Sequence, residues 1–208
     1  MMRRRASRNG PVVIGLTGSI AMGKSTAAAM LQRLRVPVFD ADAVVHTLLG
    51  PNGAALAQIS RRFPGVAGPH GVDRKALGGM VFNNPAALAD LEAIVHPLVD
   101  QARADFLRSA GRRRQPLVAL DVPLLLEGAK RHLYDVVAVV SAPAFLQRQR
   151  ALRRDGMTTA RLAGILARQM PDAKKRILAD VVIPTGLNRR ETLRCLRQLI
   201  KIARKTSG

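Results

Sequence analysis

V-V-I-G-L-T-G-S-I-A-M-G-K-S-T, residues 12–26, carries more architectural information than any other stretch of the chain. Val12, Val13 and Ile14 form an apolar, largely β-branched run that reads as a buried strand. Gly18 opens a turn, and Gly23-Lys24-Ser25 leads into an alanine-rich helix. The result is G-x-x-x-x-G-K-[ST] in the order strand, loop, helix. Glycines let successive N–H groups converge on phosphate oxygens, and the helix N-terminus adds a partial positive charge. Lys24 reaches the β- and γ-phosphates in such a loop, and Ser25 can hold Mg²⁺. The motif implies that the chain binds a nucleoside triphosphate. Its expected cradle is Gly18, Ser19, Ile20, Ala21, Met22, Gly23, Lys24, Ser25 and Thr26.

Working outward, the 208 residues with 48% hydrophobic content suffice for one α/β core plus an inserted helical lobe, and not for two full independent domains. The single cysteine, Cys195, forms no internal disulfide and reads as a small apolar residue on the last helix. Arg3, Arg4, Arg5 and Arg8 suggest the start of a secretory signal, but Gly15, Thr17 and Gly18 interrupt the apolar run that follows. No stretch approaches a membrane span, and a cytoplasmic location is expected. The net charge of +20 is the footprint of a nucleic-acid binder. However, sixteen of the 34 basic residues lie between Arg148 and Lys205, and several of those arginines sit in a segment expected to close over phosphates. One Tyr, no Trp and five Phe leave few stacking platforms for single strands. No specific nucleic-acid partner is expected.

Downstream of the loop helix, expected over 24–34, Val36-Pro37-Val38-Phe39 reads as a strand that ends in Asp40-Ala41-Asp42. Open α/β sheets place ligands at this edge. If the strand persists, the two carboxylates point to opposite sides; if a helix begins at once, Asp40 is its N-cap and Asp42 lies in its first turn. The chemical role goes to Asp42 and the structural one to Asp40. Residues 51–111 read as helices over 52–63, 73–81, 85–95 and 97–110, with no strand between them and a break at His96-Pro97. The sheet resumes at 116–122, where Asp121 stands at a strand end that phosphate-loop proteins use for a Mg²⁺-organising carboxylate. Further strands are expected at 134–140 and 181–183. Between them, a helix bearing Gln147, Arg148, Arg150, Arg153 and Arg154 turns at Asp155-Gly156-Met157. Arg150 and Arg154, four apart, are expected to share a helical face. A last helix opens on Asn188-x-x-Glu191, an N-terminal capping pattern.

The expected fold is therefore a three-layer α/β phosphate-loop fold with a parallel central sheet, a helical insert and a helical lid. Its core is drawn from 11–48, 112–142 and 180–208, with the insert at 49–111, the lid at 143–179 and a disordered basic arm at 1–10.

Several stretches together resemble the dephospho-CoA kinase family of the phosphate-loop nucleotide-kinase superfamily. They are G-L-T-G-S-I-A-M-G-K-S-T at 15–26, F-D-A-D at 39–42, I-V-H-P-L-V at 94–99 and D-V-P-L-L-L-E at 121–127. To these add Gln147-x-x-Arg150-x-x-x-Arg154, Gln169-x-x-x-x-Lys174 and Ala179-Asp180-x-Val182-Ile183. The resemblance implies transfer of the ATP γ-phosphate to the ribose 3′-hydroxyl of dephospho-CoA, with Mg²⁺ as cofactor. Asp42 would be the general base, a role worth about 10²–10⁴ in rate. Lys24 would bridge the β- and γ-phosphates, Ser25 would hold the metal with Asp121 as a further candidate, and Arg150 and Arg154 would close from the lid. The insert would hold the pantetheine arm, and His96, Leu124 and Glu127 are the other expected substrate contacts. A monomer is expected.

Two departures from the family pattern stand out. The loop usually reads G-G-I-G-S-G-K-S, and here Ser19, Ala21 and Met22 replace two glycines and a serine; Ala21 most tests the backbone. Near the last strand, Ile183-Pro184-Thr185-Gly186 lacks the Asn that the family favours between Ile and Gly. The alternatives weighed are another small-molecule kinase and a nucleic-acid-associated ATPase. No N-K-x-D tetrad supports a guanine-reading switch, and Asp121-Val122 is not the Asp-Glu pair of a motor.

Overall fold

The computed structural model describes residues 10–82 and 84–206, so the expected basic arm lies outside the described residues except for Gly10. The chain divides into two compact units, one of 1–39 with 109–208 and the other of 40–108.

In the first unit the apolar runs become strands because their side chains are buried on both faces. β1 (Val12–Thr17) is buried at every position, α1 (Lys24–Arg33) follows the loop, and β2 (Val38–Asp40) comes next. The chain then forms the second unit, with α2 (Ala41–Leu48), α3 (Leu56–Arg62), β3 (Ala67–Gly68), β4 (Gly71–Val72), α4 (Arg74–Val81) and most of α5 (Pro85–Arg112). It returns as β5 (Leu117–Asp121), a 3₁₀ turn (Ala129–Leu133) and β6 (Val136–Ser141). α6 (Ala144–Leu152), α7 (Thr159–Arg168), α8 (Asp172–Leu178), β7 (Val181–Pro184) and α9 (Arg189–Lys205) complete it.

The sheet order is β2-β5-β1-β6-β7, with β1 parallel to β5 and β6, and β6 parallel to β7. β1 is thus central, and the C-terminal ends of β1, β5 and β6 meet at one edge, where such sheets bind ligands. Ile14, Leu16, Val136, Ala138, Val140 and Ile183 on one face pack with Leu31 of α1 and with Leu196 and Leu199 of α9. Cys195 packs against this cluster as an apolar residue. Among the described residues no helix is long and apolar enough to cross a membrane.

The second unit corrects two expectations. A hairpin, β3 with β4, lies where no strand was expected, because two-residue strands are too short to show a period in the sequence. Helix α5 runs unbroken through Pro97. A proline inside a helix removes one backbone hydrogen bond and costs about 3 kcal/mol. The helix continues because Leu91, Ile94 and Val95 before it and Leu98 and Val99 after it all pack on one cluster around Ile59, Phe63, Val66 and Leu77. Helix α2 falls within this unit. Val45 and Leu48 pack on the same cluster.

Candidate active site

The loop after β1 is shaped by its own backbone. A Cβ on Gly18 would stand 2.7 Å from the carbonyl oxygen of Val140, so no side chain fits between the loop and β6. Gly23 caps α1 with φ 88°, and Ala21 adopts φ 59° although it is not glycine. A left-handed conformation costs an ordinary L-residue roughly 1–2 kcal/mol. Here the methyl group of Ala21 is buried against Ala151 and Leu162, which offsets part of that cost. No side chain caps the N-terminus of α1, and no acid lies in its first turn. Its N–H groups are therefore presented to an anion rather than to the protein.

Other elements hold this loop in place. Gln147 of α6 donates to the Ile20 carbonyl at 2.9 Å, and the Ile20 N–H donates to Gln169 at 3.0 Å. One loop residue is thus gripped at both of its backbone groups by the segment expected to be the lid. Thr185 donates to the Met22 carbonyl at 2.5 Å. Arg150 is half-buried and donates through Nη2 to the Thr185 carbonyl at 2.8 Å. Lys24 makes an ion pair with the carboxylate of Asp121 at the end of β5. The ammonium at the loop and the carboxylate expected to organise a metal are therefore direct partners.

One expectation for this region changes. Helix α6 ends at Leu152, so Arg154 lies in the turn beyond it, exposed, and does not extend the helical face of Arg150. The Asp155-Gly156 turn, with Gly156 at φ 68°, stops the helix early. Lys174 is exposed, while Lys175 is wholly buried and pairs with Glu127 at 2.8 Å. Glu127, expected beside the substrate, also accepts from the Met170 N–H at 3.0 Å. It ties the strand-end segment to the α7–α8 elbow that presents Gln169. Leu124 stands exposed after β5.

The second unit has a cavity of about 380 Å³ lined by Asp42, Val45, Leu49, Arg74, Leu77, Gly78, Val81 and Leu91. Asp40 caps α2 by accepting from the Ala43 N–H at 3.0 Å, which leaves Asp42 in the first turn with its carboxylate exposed. Of the two alternatives in the sequence, the helical one holds. Asp73 caps α4 by accepting from the N–H groups of Lys75 and Ala76, which puts Arg74 at the first helical position. Arg74 donates to Nδ1 of His46. His96 is exposed on α5 and is not among the residues lining the cavity.

The model of a protein family described as dephospho-CoA kinase matches residues 12–189. The chain belongs to the dephospho-CoA kinase family. A relative named dephospho-CoA kinase from Rhodospirillum rubrum is 58% identical over 93% of this chain and 92% of its own length. One from Novosphingobium aromaticivorans is 51% identical over 94% of the chain and 96% of its own length. Among solved structures, dephospho-CoA kinase from Campylobacter jejuni superposes with a TM-score of 0.63 at 25% identity, covering 93% of this chain and 97% of that one.

Within the dephospho-CoA kinase pattern, the structure adds residues to which sequence reasoning gave no role. Gln147 and Gln169 were legible as motif letters, but nothing local says that both reach one loop residue 127 and 149 positions away. Arg74 did leave a signal, since a cation in the first turn of a helix opposes the helix dipole and is best explained by a task there. Thr185 was visible only as a departure from the family pattern.

Proposed function

We propose that this chain transfers the γ-phosphoryl group of ATP to the ribose 3′-hydroxyl of dephospho-CoA. The observation that carries the reading is the Asp42 carboxylate, standing at the wall of an otherwise largely apolar cavity beside Arg74. Dephospho-CoA combines an apolar arm with anionic phosphates and a sugar hydroxyl. Val45, Leu49, Leu77, Val81 and Leu91 suit the apolar part, and the Arg74 guanidinium suits an anionic group.

In the reaction, the 3′-oxygen forms a bond to the γ-phosphorus while the bond from that phosphorus to the β,γ-bridging oxygen breaks, leaving ADP. Asp42 takes the hydroxyl proton and is the base that makes the oxygen a competent nucleophile. The transition state is loose, so the remaining work is positioning and charge stabilisation. The N–H groups at the start of α1 and the Lys24 ammonium hold the β- and γ-phosphates. Asp121 orients the Lys24 side chain at the loop through their ion pair. Arg150, braced by Thr185, offsets charge on the transferred group, and the exposed Arg154 is available to add to it.

Ser25, whose hydroxyl is exposed at the start of α1, and Asp121 are the residues that would hold Mg²⁺. Among the described residues no cluster of three or more His, Cys, Asp or Glu could form a protein cage. A hydroxyl with at most one carboxylate fits a cation that keeps several waters and shares phosphate oxygens. Mg²⁺, when bound, neutralises charge on the β- and γ-oxygens.

The test is a coupled ADP-release assay with dephospho-CoA against a panel of nucleosides and duplex DNA. Turnover with dephospho-CoA and a product heavier by one phosphoryl group are expected. Stimulation of ATP hydrolysis by DNA alone would overturn the reading.

A further inference from the structure

We propose that Thr185 is a positioning residue that sets the phosphate loop and the lid arginine in register, a role that rests on the phosphoryl-transfer reading above. It lies in the Ile183-Pro184-Thr185-Gly186 segment, and its side chain is turned into the protein, toward the loop.

The geometry is closed on every side. The Thr185 N–H donates to the Ser141 carbonyl at 2.9 Å, extending the pairing of β7 with β6 by one residue and fixing its backbone at the sheet edge. Its hydroxyl has one proton. Two carbonyls are within reach, Met22 at 2.5 Å and Ser141 at 3.3 Å; Met22 is the closer, and Ser141 is already served by the Thr185 N–H. The proton therefore goes to Met22. The hydroxyl oxygen then accepts from Arg150 Nη1 at 3.4 Å, while the Thr185 carbonyl accepts from Arg150 Nη2 at 2.8 Å. The residue is 8% exposed, so water does not compete freely for these groups.

The consequence for the loop follows from peptide planarity. In a trans peptide the C=O and the following N–H point in opposite directions. Holding the Met22 carbonyl toward Thr185 therefore aims the Gly23 N–H away from it, in a segment whose left-handed residues Ala21 and Gly23 give the alternating backbone of an anion nest. A Cβ on Gly23 would lie 3.1 Å from the Thr185 hydroxyl oxygen, so the loop rests directly on this side chain. Ser19, Ala21 and Met22 make the loop less glycine-rich than the family pattern, and Thr185 supplies from outside an anchor for one of its peptide planes.

The test compares Thr185→Val, which keeps the shape and removes the hydroxyl, with Thr185→Ser, which keeps the hydroxyl. Affinity for a non-hydrolysable ATP analogue is read by calorimetry, and kcat and KM for each substrate by steady-state assay. Loss of one buried hydrogen bond should weaken analogue binding and raise KM for ATP roughly tenfold in Thr185→Val. KM for dephospho-CoA should stay within about twofold, and Thr185→Ser should recover to within about threefold of the parent. In an Arg150→Ala background, Thr185→Val should cost less than about threefold more, because the two groups act as one unit. Parent-like analogue affinity in Thr185→Val, a serine variant no better than the valine one, or fully multiplicative losses with Arg150→Ala would each overturn the proposal. If Thr185→Val does not fold, Thr185→Ala against Thr185→Ser gives the same comparison. Because analogue affinity is read without acceptor, a parent protein inactive on dephospho-CoA would break the proposed function and leave this test intact.

Discussion

Around the phosphate loop, main-chain groups are held by side chains from α6 and from the segments that follow α7 and β7. The cavity of the second unit is instead walled by side chains of α2, α4 and α5, and only two of its lining residues are charged, Asp42 and Arg74. In the first region backbone N–H groups act beside the side chains of Lys24 and Arg150, and other side chains serve to aim that backbone. In the second the chemistry is in the side chains, and the backbone serves to present them. The contrast explains how the loop accommodates Ser19, Ala21 and Met22. What must be preserved is a path of peptide planes, and an alanine at φ 59° can follow it when its methyl group is buried.

This difference predicts that variants in the two units separate in their effects. The largest is expected at Asp42→Asn, which should lower kcat about 10²–10⁴-fold while leaving affinity for a non-hydrolysable ATP analogue unchanged. Near-parent turnover would remove Asp42 from the mechanism. Lys24→Ala should lower kcat about 10²–10³-fold and also weaken nucleotide binding, measured by calorimetry; intact nucleotide affinity would contradict the loop assignment. Smaller in effect, Gly78→Leu projects a side chain into open space at the cavity wall, where an added Cβ meets nothing within 4 Å. It should raise KM for dephospho-CoA about tenfold with KM for ATP unmoved. A shift in the ATP value instead would break the separation of the two regions. The smallest change is expected for Ala21→Gly. Relief of about 1–2 kcal/mol of left-handed strain is set against loss of a buried methyl group worth about 0.8 kcal/mol and a more flexible unfolded chain. The net change in unfolding free energy, measured in urea, should be below about 1 kcal/mol; a larger loss would show that packing of the methyl group dominates.

The first unit was largely legible because its signals are local. Strands buried on both faces write continuous apolar runs, as at 12–17, 117–121 and 136–141, and the cap Asn188 acts on a backbone group three residues away. The second unit was less legible for the same physical reason. A two-residue strand has no period, and a proline reads as a helix end unless apolar contacts on both sides of it outweigh its cost, as they do in α5. Lys174 and Lys175 are adjacent letters of the same chemistry, and only packing decides that the second is buried against Glu127.

The sequence by itself determined the phosphate-loop motif, the parallel core and Asp40 as a helix cap, which follow from spacing along the chain or from short-range hydrogen bonding. Its motifs together pointed to the family by resemblance. Only the tertiary structure decided which distant groups hold the loop, that Arg74 shares a cavity with Asp42, and that Glu127 is taken up by Lys175. Those contacts join residues 32 to 163 positions apart. They depend on how helices and strands pack, and no local spacing encodes that.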